Sequence, residues 1–306
     1  MKRFLVIISL MTTSTLACFA DLAGYQNTIA SPTGGTPGPT YWWKFDNDLS
    51  QSGSGAGGVL TEGNGLGGNL GGFTNDDFGN ATLARYMGSS SNSLSTATDV
   101  ISGGSSILTG DSTAASTGSV VVLFQTPGVT ISGQRFIFAQ GSSTSGASNA
   151  FALFLGNAGT LNGLDLRAGN TTMNLSGSNA LALSTWYYFG VTWKENRNAG
   201  ELLWSFGAVG GALATGPMNI NDVAVIGNNG TFTIGNSWTT NAAGFIDTGT
   251  SGVIDELAVY DYELSSAAIN SQFAAAVVPE PSTMLLCSSA LAGLWAVTRR
   301  RRTFKK

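Results

Sequence analysis

Gly252-Val253-Ile254-Asp255-Glu256-Leu257-Ala258-Val259-Tyr260-Asp261-Tyr262-Glu263-Leu264-Ser265 is the stretch that decides the fold. Val253 to Tyr260 is apolar and partly β-branched, as a buried strand requires. Two acids interrupt it. Neighbouring side chains on a strand point to opposite faces, so Asp255 and Glu256 cannot share one face without a bulge. A short helix follows: Ser265 or Ser266 can cap it, and Ile269 and Phe273 fall four apart on one side.

Further strands are expected upstream at Tyr41-Trp42-Trp43-Lys44-Phe45-Asp46, as short strands in Gly-rich turns over 59–87, among them Ala81 to Met87, and at Ser119 to Phe124, Gln134 to Ala139 and Ala150 to Leu155. Thr185 to Trp193, Glu201 to Phe206 and Gly230 to Gly235 complete the set. Ser, Thr, Asn and Gly fill the stretches between them. Many strands at short spacing, with one helix and no fixed-period repeat, predict an all-β sandwich. Residues 21–40 carry Ser31-Pro32-Thr33-Gly34-Gly35-Thr36-Pro37-Gly38-Pro39-Thr40 and are expected to be a linker.

The two ends differ from the middle. Lys2-Arg3, the apolar Phe4 to Leu10 and the small residues of Cys18-Phe19-Ala20 form a secretory signal peptide over 1–20, with cleavage expected before Asp21. At the other end Pro279-Glu280-Pro281 precedes an uncharged run, residues 283–298, and Arg299-Arg300-Arg301-Arg302. Wound as a helix, the run spans ~24 Å, slightly short of a ~30 Å hydrocarbon core; a single C-terminal transmembrane helix is expected, with the arginines cytoplasmic.

Of 14 basic residues, only Lys44, Arg85, Arg135, Arg167, Lys194 and Arg197 lie between 21 and 278, against 17 of the 18 acids, so the exported part carries about −11. Such a surface repels nucleic acid, and no nucleic-acid partner is expected. There is no histidine, and the only cysteines, Cys18 and Cys287, lie in the targeting ends. Imidazole catalysis, thiol catalysis, zinc-thiolate sites and a disulfide framework are thereby excluded from the exported domain.

Two resemblances follow from these residues. The tail from 277 to 306 resembles the PEP-CTERM sorting signal of Gram-negative bacteria. That resemblance implies handling by an exosortase, a membrane transpeptidase-like enzyme, and a link to exopolysaccharide; a plain tail anchor is the alternative. Leu16-Ala17-Cys18 resembles part of a lipobox, with Thr15 where that pattern prefers Leu.

Residues 41–275 resemble the concanavalin A-like, laminin-G-type jelly roll. Tyr41 to Asp46 is similar to its opening strand, Thr185 to Trp193 to its "W-H-H-V-A-V-T-Y" strand, and Phe232-Thr233-Ile234-Gly235 with Gly252 to Ser265 to its closing "I-G … I-D-E" segment. Trp204-Ser205-Phe206-Gly207 replaces the family's Asn-Gly turn.

The expectation is an exported, membrane-anchored and then surface or matrix protein. Its laminin-G-like domain is non-catalytic and contacts polysaccharide or glycoprotein. A purely structural or adhesive matrix protein is the second reading. A glucanase-type enzyme is the third; it needs two carboxylates about 5–9 Å apart, and the Glu-x-Asp-x-x-Glu spacing of jelly-roll glucanases is missing here. Asp46, Asp48 and Asp255 are candidate ligands for a structural calcium, which takes oxygen donors; turn-making and capping are their other uses. Trp238, in a polar loop, is the candidate sugar contact, whereas Trp42, Trp43, Trp186, Trp193 and Trp204 lie in strands and are expected in the core.

Overall fold

The computed structural model describes residues 22–32, 36–55, 60–63, 72–77, 84–86, 93–96, 117–128, 134–141, 151–156, 163–169, 171–177, 179–194, 201–220, 231–235, 246–247 and 250–277. Among the described residues two helices, α1 (Leu22–Ala30) and α2 (Ser266–Ala275), flank the strands. The strands are β1 (Tyr41–Trp43), β2 (Leu60–Gly63), β3 (Gly72–Thr74), β4 (Ala84–Tyr86), β5 (Ser93–Thr96), β6 (Thr117–Gln125), β7 (Arg135–Gly141), β8 (Phe151–Leu155) and β9 (Leu164–Ala168). They continue with β10 (Thr171–Asn174), β11 (Trp186–Lys194), β12 (Glu201–Ala208), β13 (Ala214–Asn219), β14 (Thr231–Ile234), β15 (Ile246–Asp247), β16 (Thr250–Ser251) and β17 (Val253–Tyr260).

The strands form two antiparallel sheets. The first runs β13-β12-β11-β6-β17-β4-β3, with β1 also on β17; the second runs β10-β9-β8-β7-β14-β5-β2. β15 and β16 pair as a small separate ladder. Side chains from both sheets fill the space between: Trp43 stacks on Phe232 at 5.6 Å, and Phe151 meets Trp193 edge-on at 5.8 Å. A Cβ at Gly118 would run into the Trp193 ring, so only glycine fits at that position of β6.

The continuous apolar run in β6 has a direct cause. Val120, Val122 and Phe124 enter the core between the sheets, while Val121 and Leu123 enter a second core on the outer face of the first sheet. A strand covered on both faces has no polar side to show. The cover is the helix pair. Ile269 and Phe273 of α2 and Tyr25 and Ile29 of α1 pack there against Tyr188, Ala258 and Tyr260. Ser265 is the N-cap of α2, its side chain accepting from the Ala268 N–H.

Residues 21–40 are therefore not a linker throughout. Leu22–Ala30 is a helix with Tyr25 and Ile29 fully buried. Its nine residues include Gly24, Asn27, Thr28 and Ile29, poor helix formers that would not hold a helix of this length alone. Packing holds it, with Tyr260 Oη donating to the Ile29 carbonyl and Gln272 Nε2 to the Thr28 carbonyl. Strands β5, β9, β10 and β13 and the small β15–β16 ladder are further elements that the expected set lacked. Among the described residues no helix is long and apolar enough to cross a membrane; the expected membrane segment at 283–298 lies outside them, as does the signal peptide at 1–20.

Candidate functional site: a buried carboxylate pair on a bulged strand

Along β17 the register slips. Asp255 pairs with Leu123 and Ala258 with Val121, so two residues of β17, Glu256 and Leu257, stand opposite the single Val122. This is a β-bulge. Ile254 and Leu257 both point into the core between the sheets, and the acids between them fall on the outer side, beneath α1. The condition for Asp255 and Glu256 to share a face is thus met.

The backbone around them is unusual. Glu256 has φ 49°, Phe45 φ 58° and Asn47 φ 61°. Left-handed residues other than glycine cost ~1–3 kcal/mol each and persist where the surroundings over-determine them. The turn after β1 and the bulge in β17 are adjacent because β1 pairs with β17, Trp43 opposite Leu257.

Glu256 is fully buried and well served. Trp42 Nε1 donates to Oε2 at 2.6 Å and Gln26 Nε2 to Oε1 at 2.6 Å. Gln26 also reaches Asp46 Oδ2 at 3.4 Å. Lys44 Nζ sits 4.2 Å from the Trp42 ring centroid, a cation–π contact. Burial outweighs these donors and pushes the Glu256 carboxyl up to about 8.

Asp255 is the opposite case. It is fully buried, and neither oxygen makes a hydrogen bond of good geometry among the described residues. Burial, then the charges of Glu256, Asp76 and Asp46, push its carboxyl well above the usual range; the backbone N–H of Glu256 acts in the opposite sense. Asp46 is also raised, first by burial, and its Oδ1 is buried with no hydrogen-bond partner among the described residues. Asp77, beside Asp76, is pushed up to about 7 by burial and by that neighbour. An uncompensated buried carboxylate costs several kcal/mol. Such a group either holds a proton or faces a cation.

The structure thus brings Asp46 and Asp255 into one electrostatic neighbourhood, with Asp76 and Glu256. Asp48 stands apart in use: its Oδ1 accepts from the backbone N–H and Oγ of Ser50, at 3.0 and 2.9 Å, a local turn. Among the described residues no three Asp, Glu, His or Cys side chains converge as a ready metal site. The donor chemistry, oxygen only, suits a hard cation such as calcium. Asp255 and Asp46 could supply two ligands, leaving carbonyls and water to complete a set of six to eight.

Sequence reasoning missed Gln26, Asp76 and the bulge. Gln26 lay hidden in the assumed linker, although Leu22, Tyr25 and Ile29 carry helical spacing. The expected core placement of strand tryptophans fits Trp43 and Trp193, both fully buried. Trp42 faces away from Trp43, into the core beneath the helices. Trp238, Pro279, Glu280, Pro281 and Arg299 to Arg302 lie outside the described residues.

Residues 277–302 match the PEP-CTERM protein-sorting motif. No curated protein matches the chain. Among solved structures, the binding domain of botulinum neurotoxin serotype D is similar at 15% identity and a TM-score of 0.50, over 80% of this chain and 52% of the toxin chain. The same toxin domain in complex with N-acetylneuraminic acid is 15% identical with a TM-score of 0.48, over 82% and 52%. The CBM40 of the Ruminococcus gnavus IT-sialidase, bound to α2,3-sialyllactose, is 17% identical with a TM-score of 0.35, over 54% of this chain and 84% of that one. The likeness to the first of these is one of fold, and this chain spans about half of the toxin chain's length. The chain is thus an all-β protein of sandwich type that ends in a PEP-CTERM protein-sorting motif.

Proposed function

We propose that this is an exported, exosortase-sorted protein of the cell surface or extracellular matrix. Its sandwich is a concanavalin A-like, laminin-G-type module that binds polysaccharide or glycoprotein without catalysis. The observation that carries the reading is the sorting motif at 277–302, placed directly behind the last packed helix. A signal peptide at 1–20 brings the domain across the membrane, and residues 283–298 hold it there until processing.

The non-catalytic reading is supported by the state of the acids. Both Glu256 oxygens are engaged by Trp42 and Gln26, and Asp255 and Glu256 are fully buried beneath α1. A sugar cannot reach them, as a glycosidase pair must be reached. The bulged segment is instead a structural site. Calcium at Asp255 and Asp46 would neutralise the buried carboxylates and tie β17 to the turn after β1, fixing the outer face of the first sheet. The glycan reading rests on the sorting signal and its association with exopolysaccharide, with Trp238 as the candidate contact.

The test is retention of residues 21–278 on a panel of bacterial and plant polysaccharides, with calcium and with chelator. Selective retention on one class, weakened by Trp238→Ala, supports the reading. Absence of retention under both conditions sinks glycan binding and leaves the adhesive matrix role.

A further inference from the structure

The sorting motif begins at the edge of the folded body. Ala276 is fully buried and its N–H closes α2 on the Gln272 and Phe273 carbonyls. Pro279 comes three residues later and Thr283, the first residue of the uncharged run, seven residues later. Seven residues reach at most ~25 Å fully extended. Several of those ångströms are used in crossing the headgroup layer. A domain of this length has a radius of gyration of roughly 18 Å and is about 45 Å across. A tether this short cannot hold such a body clear of the bilayer, and it leaves from the helical side.

That side also has a distinct charge. The exported part carries about −11, yet residues 22–31 and 264–277 contain no Asp, Glu, Lys or Arg. The exposed positions of the two helices are Ala23, Asn27, Ala30, Ser266, Ala267, Asn270 and Ala274. In sequence the flanking charges are Asp21, Asp261, Glu263 and Glu280, and on the inner side of α1 Gln26 meets the carboxyls of the buried Glu256 and of Asp46. An anionic leaflet repels acidic surface within a Debye length, and a neutral face of small side chains escapes that repulsion.

From the tether length and this charge pattern we infer that the outer face of α1 and α2 is a membrane-apposed platform. It lies against the phospholipid bilayer into which the chain's own tail inserts, with the second sheet turned away from the lipid. This rests on the reading of residues 283–298 as a membrane segment. The orientation presents the motif to a membrane-embedded processing enzyme and keeps the acidic remainder of the domain in solvent.

The test uses the whole chain from Asp21 onward, reconstituted in vesicles of phosphatidylcholine and phosphatidylglycerol. With Cys287→Ser the chain has no thiol, so single labelling sites can be placed at Asn270→Cys on α2 and Thr172→Cys on β10. Energy transfer to a headgroup acceptor is expected to be at least about twofold greater from position 270 than from 172. Equal or reversed transfer in a vesicle-bound chain overturns the platform and leaves the sorting reading intact. Failure of the chain to float with vesicles overturns the membrane segment itself, and the platform with it. As a second measurement, Asn27→Glu with Ala267→Glu and Asn270→Glu adds charge at exposed positions, with the label moved to Ala274→Cys. The contrast with position 172 should fall towards unity; a contrast that does not change overturns the platform.

Discussion

Ile29→Ala tests whether the segment before β1 is part of the folded body. Ile29 is fully buried between α2 and the outer face of the first sheet, and its carbonyl accepts from Tyr260 Oη. Truncation removes the branched side chain and keeps that backbone acceptor. At about 0.8 kcal/mol per lost carbon, the transfer cost is about 2.4 kcal/mol. The cavity left against Tyr260 and Phe273 brings the total to about 3 kcal/mol, inside the usual span for such truncations. With a urea m-value of about 3 kcal/mol/M, the unfolding midpoint should fall by about 1 M. The assay is urea unfolding of residues 21–278 followed by tryptophan fluorescence, with exposed Asn27→Ala as the control. A midpoint within ~0.15 M of the control would refute the packing of α1 and restore the linker reading of residues 21–40.

Trp42→Phe keeps an aromatic side chain, though a smaller one, and removes the N–H that donates to Glu256 Oε2. It should cost about 1.5–3 kcal/mol, because a buried carboxyl loses a donor; chemical denaturation measures it, and a loss below ~0.5 kcal/mol contradicts the hydrogen bond. If calcium sits at the bulge, its addition should raise the melting temperature of the chelated protein. Asp255→Asn should abolish that rise and Asp48→Asn should leave it, by differential scanning fluorimetry; a rise that survives in Asp255→Asn places calcium elsewhere. Burial holds the phenols of Tyr25, Tyr188 and Tyr260 well above the ordinary tyrosine value. A phenol raised on folding favours the folded state below about pH 10 and loses that contribution as pH climbs further. Their phenolate absorbance should therefore appear only in a cooperative step with alkaline unfolding; smooth titration of all seven tyrosines with the fold intact would contradict their burial.

The legible parts of the fold are those where local pattern and burial agree. β6, β11, β12 and β17 read as strands because continuous apolar or alternating sequence leaves few other options, and the N-cap of α2 was within the two serines named. Strands β9 and β10 were missed because Leu164–Ala168 contains Asp165 and Arg167 on one face, and Thr171–Asn174 is mostly polar. β13 carries Gly216 and Pro217, which argue against a strand unless it lies at an edge, as β13 does. Helix α1 was lost beside a Pro- and Gly-rich stretch whose composition coloured the whole of 21–40. The site was half legible. The acids were visible, and so was the need for a bulge to bring them together. The bulge itself depends on Ala258 and Asp255 both finding partners on β6, which only the three-dimensional pairing reveals.

The measurement that tests the central claim most directly is the C-terminal mass of the protein isolated from cells with and without a functional exosortase. With the enzyme present, the account predicts a chain that has lost residues 283–306, and the full tail when the enzyme is absent or when Pro279-Glu280-Pro281 is replaced by alanines. A tail that stays intact in all three, or is removed equally in all three, would contradict it.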